Sequence, residues 1–333
     1  MSISNCHSLE RLKNLRKQFN GEIGPTFFCQ FYDLIGDWKG ERPNLRDICQ
    51  PREIELLLED CINQYDDGRA TIIEFVASCG YRDEPEFDEG GLQHPQQLRR
   101  ATPIHYVAKH RSRCLNFPKR ARSVINELFK IYDRFDVNYT DESGYSHFHA
   151  AIGFNFVNVV KKFLDRGHDP NLCVEKTGDS PLYLALTTAN VEPIELLLRS
   201  GADPNRANKH GSTPLHIVGN HFQDSTSKDV ARMLLEMSDE RYRPLRLNAR
   251  DKSGNTPLHR AANCSASHEN LIEFLLRNGA DSNIANAEEK LLESLRPRVW
   301  EAFMEPVCDR FVEDISYLQK AFKKVFWKLS KLF

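Results

Sequence analysis

Residues Lys176 to Val218 read KTGDSPLYLALTTANVEPIELLLRSGADPNRANKHGSTPLHIV, one pattern stated twice with nothing inserted. Ser180-Pro181-Leu182 returns 33 residues on as Thr213-Pro214-Leu215. Ser or Thr accepts from the free amides of a helix's first turn, and Pro at the next position lacks the proton that would be left without a partner. Leu then enters the core. The second apolar run of the unit ends at Gly201, suited to the left-handed conformation that closes a helix, and Asp203-Pro204-Asn205 leads into a turn. One period is therefore two short helices and a turn. A unit of that size cannot bury its apolar face alone, so copies must stack.

Working outward, the start signal occurs as Thr102-Pro103-Ile104-His105, Ser146-His147-Phe148-His149, Ser180-Pro181-Leu182-Tyr183, Thr213-Pro214-Leu215-His216 and Thr256-Pro257-Leu258-His259. The spacings of 44, 34, 33 and 43 residues place insertions of about ten residues in two units over a period of ~33. Lys109 to Arg122 and Gly219 to Asp229 are expected as loops between the helices of their units, and Ser238 to Leu247 as an enlarged turn. Gly144, Gly178, Gly211 and Gly254 mark the turn tips.

A Gly-x-Thr-Pro-Leu-His-x-Ala start with a second helix ending in Gly-Ala-Asp-x-Asn resembles the ankyrin repeat family over residues 102 to 286. His147 stands where Pro is usual and Phe148 where Leu is. Tyr183 replaces His, and Val218 replaces Ala. The resemblance implies an all-α solenoid of about five repeats. It further implies that a partner is held on the concave face, by turn tips and first-helix positions: Glu142, Tyr145, Lys176, Asp179, Lys209, Ser212, Lys252 and Asn255. It also places Asn138, Asn171, Asn205 and Asn283 at the Asp-x-Asn position that asparaginyl hydroxylases modify in such arrays, where Asn also serves the turn.

Four regions are expected: an N-terminal helical region over 1–50, a degenerate cap repeat with an acidic loop over 51–95, the repeats over 96–286 starting near 100, 143, 177, 210 and 253, and a helical extension over 287–333. Leu9, Leu12, Leu15 and Phe19 recur at helical spacing opposite Arg11, Lys13, Arg16 and Lys17. That helix either packs on the domain behind it or offers a basic arm. Ile54, Leu57, Leu58 and Ile62 form one stripe after Pro51, and residues 51–85 have the helix, glycine and Asp-Glu-Pro order of a repeat. A cap there would shield the first apolar face of the stack. In the tail, Phe322, Val325, Phe326, Leu329, Leu332 and Phe333 fall within an arc of about 120°. Residues 315–333 hold five Lys and no Asp or Glu. Such a helix caps the array, lies on a membrane surface or enters a partner's groove. Arg111, Arg113, Lys119 and Arg120 in the first insertion, with Lys323, Lys324 and Lys328 in the tail, are candidate contacts to an acidic partner.

Composition is that of a globular protein, and 45 basic against 47 acidic residues give no whole-chain commitment to nucleic acid. No signal-peptide core opens the sequence and no run of 18 apolar residues occurs, which reads as a cytoplasmic or nuclear, monomeric protein without a transmembrane segment. Nine scattered cysteines form no Cys-x-x-Cys pair. There is no phosphate loop, nucleophile elbow or His-Glu-x-x-His helix. His105, His149, His216 and His259 recur once per repeat, which assigns them to turn geometry. The expectation is a non-enzymatic scaffold or regulator without cofactor or metal that binds an unidentified protein. The alternatives are a substrate-recruiting adaptor of a ubiquitin ligase or other modifying complex, and peripheral membrane association through the basic tail helix.

Overall fold

The structure, a computed structural model, describes residues 3–18, 25–38, 41–63, 67–85, 96–109, 118–222, 224–263 and 268–287. Each start signal is followed by a helix one residue later: Pro103–Lys109, His147–Gly153, Pro181–Thr187, Pro214–His221 and Pro257–Asn263. Ser146 Oγ accepts from the amide of His149 at 3.3 Å, and Ser180 Oγ from that of Tyr183 at 3.1 Å. The second helices are Pro118–Ile131, Val157–Asp165, Val191–Arg199, Asp224–Glu236 and Glu269–Arg277. Gly201 and Gly279 follow two of them at φ +89° and +99°, the left-handed closure expected of those glycines. Among the described residues the fold is all-α apart from a two-stranded parallel sheet, Gln96–Arg99 beside Val137–Thr140.

Internal contacts divide the chain into two compact units, residues 1–169 with 173–176, and residues 170–172 with 177–333. In the first unit, Pro51–Asn63 packs on Pro103–Lys109, and Asp67–Ser78 packs on Pro118–Ile131. Pro51–Asn63 thus lies on the first helix of the first repeat and Asp67–Ser78 on its second. The N-terminal helix Ile3–Gln18 buries Leu12 and Leu15, and Arg16 Nη2 reaches Glu53 Oε1 at 3.1 Å. The helix Pro25–Gly36 brings Phe27 onto Phe31, while Phe31 and Trp38 meet Phe75 edge-on. In the second unit, Pro181–Thr187 packs on Pro214–His221, which packs on Pro257–Asn263, and Asp224–Glu236 packs on Glu269–Arg277.

Two of the expected loops are corrected. Most of Gly219 to Asp229 is helix, because the first helix continues to His221 and the second starts at Asp224. The insertion lengthens the second helix to 13 residues instead of opening a loop. Likewise, Pro118 to Arg122 at the end of the first insertion opens a 14-residue helix, where Pro is tolerated in the first turn. The acidic stretch beyond residue 85, Arg111, Arg113 and the tail with Lys323, Lys324 and Lys328 lie outside the described residues.

The histidine that replaces proline has a structural account. His147 is 1% exposed, with its ring 4.9 Å from that of His105 and 4.8 Å from that of Tyr139. Its Nε2 lies 2.6 Å from Thr102 Oγ1, so it joins the second repeat to the cap of the first. Burial, then the neighbouring His105 and Arg100, hold its pKa well below the ordinary histidine value. It is therefore neutral when folded, while the unfolded chain takes up a proton below pH about 6.5. Stability must fall as pH drops through that value, by about 1.4 kcal/mol per pH unit for this one group. Denaturant midpoints measured from pH 7.5 to 5.5 should decline less steeply in His147→Leu, by about one proton's worth. Equal slopes in the two proteins would remove His147 from the account.

Candidate functional site

The turn tips are built by side chains folding back onto their own backbone. Asp141 Oδ1 accepts from the amides of Ser143 and Tyr145, at 2.8 and 3.0 Å. Asn208 Oδ1 does the same for His210 and Ser212, at 2.9 and 3.1 Å, and Asp251 Oδ1 for Ser253 and Asn255, both at 2.9 Å. Asp and Asn are suited to this because their short polar arms reach two residues on. Consecutive tips are then linked by backbone. In the first unit the amide of Lys176 donates to Ser143 O at 2.9 Å. In the second unit Lys209 donates to Thr177 O at 2.9 Å, Lys252 to His210 O at 2.9 Å, and Ala287 to Ser253 O at 3.0 Å.

The motif histidines fasten the tips to the helices. Thr102 N donates to Nδ1 of His105 and Thr213 N to Nδ1 of His216, both at 3.0 Å. Each ring therefore carries its proton on Nε2. That proton goes to the next repeat, from His105 to Tyr139 O at 3.3 Å and from His216 to Asn255 O at 3.0 Å. Burial pushes both pKa values down, so neither is poised as a charged catalyst. Among the described residues no cluster of His, Cys, Asp or Glu is arranged to hold a metal.

The eight expected contact positions separate into two kinds. Glu142 and Lys176 in the first unit are exposed, as are Lys209 and Lys252 in the second. The others are occupied by the fold. Ser212 is 8% exposed and its amide is tied to Asn208, so it is withdrawn from the surface. Asp179 Oδ1 accepts from Asn208 Nδ2 at 2.8 Å, and Asn255 Oδ1 from Asn286 Nδ2 at 3.0 Å, so both hold neighbouring tips. The half-buried Tyr145 ring lies 5.5 Å from that of His149. Lys119 and Arg120 fall in the helix Pro118–Ile131, and their side chains lie outside the described residues.

Electrostatics at the second unit's tips are one-sided. Asp251 is buried, which disfavours its charge, but the hydrogen bonds from Arg260 and from the Asn255 amide outweigh this and hold its pKa below the ordinary value. Arg260 Nη2 lies 2.6 Å from Asp251 Oδ2, so the two charges cancel. Among the described residues Lys209, Arg250 and Lys252 form no ion pair. Arg250 donates instead to backbone, Gly254 O at 3.3 Å and Ala285 O at 3.0 Å.

Three asparagines clamp one repeat's turn to the next. Asn171 Oδ1 accepts from Asp203 N at 2.7 Å while its Nδ2 donates to Gly201 O at 3.0 Å. Asn205 accepts from Arg246 N at 2.8 Å and donates to Tyr242 O at 2.6 Å. The third is Asn248, which accepts from Asp281 N at 2.8 Å and donates to Gly279 O at 3.4 Å. Sequence reasoning missed Asn248, since the enlarged turn separates it from the preceding Asp-x-Asn signal. Matching Leu247-Asn248-Ala249-Arg250 to the stretch before the next tip would have found it. Asn138 differs: it is fully buried and accepts from Phe148 N at 3.2 Å. Asn283 is exposed.

Among the described residues no helix is long and apolar enough to cross a membrane. A family model described as ankyrin repeats matches this chain three times, over residues 118–208, 148–240 and 206–286. The human neurogenic locus notch homolog protein 4 is 34% identical over 118 residues, 35% of this chain and 5% of the relative. The mouse 2-5A-dependent ribonuclease is 42% identical over 60 residues, 18% of this chain and 8% of its own length. A putative ankyrin repeat protein, L371, of Acanthamoeba polyphaga mimivirus is 27% identical over 173 residues, 50% of this chain and 20% of that one. The chain thus spans a small fraction of each of these relatives. Ankyrin repeats are in general non-catalytic modules for protein–protein interaction. With capped helix pairs, a backbone ladder along the tips and a family model running from 118 to 286, the chain belongs to the ankyrin-repeat family.

Proposed function

We propose that this protein is a non-enzymatic scaffold or regulator that holds a partner protein on the turn tips of its repeats, with residues 51–85 serving as the cap of the first repeat. The observation that carries the reading is the ladder from tip to tip. It fixes the backbone of Lys209 and Lys252 while leaving both side chains exposed and without an ion pair among the described residues. A contact made by a side chain on a preorganised backbone loses less entropy on binding than one made from a mobile loop. Among the described residues of the second unit, no carboxylate needs these two ammonium groups.

The test is the full chain carrying K209A and K252A together. Stability should change by less than about 0.5 kcal/mol, as for other exposed substitutions. Affinity for partners identified by proximity labelling should fall roughly five-fold, the scale of losing two exposed charge contacts. A labelled set and affinities that match those of the wild-type chain would refute docking at these tips.

A further inference from the structure

Resting on the reading that partners dock at the turn tips, we infer that the tips of the fourth and fifth repeats receive an acidic, extended segment of a partner protein. The charge there is positive in a chain whose formal net charge is -2. Lys209, Arg250 and Lys252 have no carboxylate in ion-pair contact among the described residues. Asp251 lies between two of them in sequence, yet its side chain is 2% exposed and faces Arg260. Asp179 spends one oxygen on Asn208. The two lysines are therefore open to an outside anion, and Arg250, held by backbone carbonyls, adds its charge beside them.

Spacing supports an extended occupant. Lys209 and Lys252 take equivalent places in successive tips, each amide donating to the tip before it. Their ammonium groups thus recur once per repeat along one edge. Next to them stand exposed polar groups, His210 and Ser253, able to bond a peptide backbone or a small polar side chain. A nucleic acid presents phosphates far more densely and is bound by neutralising many of them. Three cations without an ion pair among the described residues, beside an Asp251 that Arg260 neutralises and an Asp179 tied to Asn208, fit a peptide whose acidic residues are spaced by neutral ones.

The probe is a short fluorescein-labelled peptide alternating Glu with Ser, against the same peptide with Gln for Glu, titrated into the full chain. The Glu peptide should bind, weaken as salt rises, and lose about ten-fold in K209E/K252E, while the Gln peptide binds weakly and is indifferent to salt. Arg232→Glu, on the second helix of the fourth repeat, should leave Glu-peptide binding unchanged. Thermal midpoints of all variants should match, so that lost binding is not lost folding. Equal binding of the two peptides, or no loss in K209E/K252E, overturns the inference. Tighter binding of a single-stranded RNA oligonucleotide that is lost in K209E/K252E overturns it too, in favour of nucleic acid. If K209A/K252A still loses its proximity-labelled partners while the two peptides bind alike, the acidic segment fails and docking at the tips survives. Partners unaffected by both double variants refute the docking reading itself.

Discussion

Arg100→Ala should destabilise the first unit by about 3 kcal/mol, read as a fall in denaturant midpoint at unchanged slope. The guanidinium Nη2 lies 2.6 Å from Asp83 Oδ1 and 3.4 Å from Glu55 Oε1. The guanidinium also lies over the Tyr139 ring, 4.9 Å from its centroid, and the Tyr139 hydroxyl donates to Asp83 Oδ2. Burial works against the arginine's charge, but Asp83, by hydrogen bond and charge, and Glu55, by charge, outweigh it and hold its pKa above the ordinary value. Tyr139 is pushed up by its own burial and by Asp83, and burial carries Tyr81 to about 12. Both phenols therefore stay neutral, and Arg100 is the cation that Asp83 shares with Glu55, which also holds Arg52 at 3.1 Å.

Removing it leaves Asp83 without an ion pair among the described residues and leaves Glu55 with Arg52 alone, 3.1 Å away; the two carboxylate side chains are 12% and 14% exposed. Loss of one partner from a buried group of charges costs far more than the intact group contributes. Arg100 keeps about a third of its side chain in solvent, which sets the expected loss at the lower end of the range for buried pairs. A double variant, Arg100→Ala with Asp83→Ala, should cost less than the two single changes added, because it removes one stranded charge along with its partner. Strict additivity would show that the pair is not coupled.

How far such features are legible depends on how local their chemistry is. The five helix starts followed from Thr102, Ser146, Ser180, Thr213 and Thr256 because a cap needs only its own next three residues. Gly201 and Gly279 were equally readable, since a left-handed closure is a property of one residue. The Arg100 group was not, for its members come from positions 55, 83, 100 and 139, and only the fold brings them together. Gly219 to Asp229 reads as a break because Gly, Asn, Asp and Ser favour turns, yet tertiary packing carries helix through most of it. At the tips, sequence placed the turns but not the roles of their side chains. Asp179, Ser212 and Asn255 resemble Lys209 and Lys252 in position, and only the hydrogen bonds separate those that hold turns from those left to solvent.

Gly178→Ala should cost the second unit about 2–4 kcal/mol, and the comparison with Gly279→Ala says why. Both glycines have positive φ, +74° and +99°, so either alanine incurs the left-handed penalty of about 1–2 kcal/mol. Around Gly279 a Cβ meets nothing within 4 Å, so that variant should lose only the conformational share. Around Gly178 it would stand 2.8 Å from the backbone nitrogen of Lys209, closer than a real Cβ comes to another atom. Backbone cannot rotate away as a side chain can, so the two tips must part. The bond from Lys209 N to Thr177 O is the one stretched. The excess loss in Gly178→Ala over Gly279→Ala therefore measures the close approach of successive turns, and equal losses would show that the tips give way freely. The same displacement moves Lys209. Partner affinity should therefore fall in Gly178→Ala even where the chain remains folded, and hold in Gly279→Ala, because the tips bind only as well as their backbone is fixed.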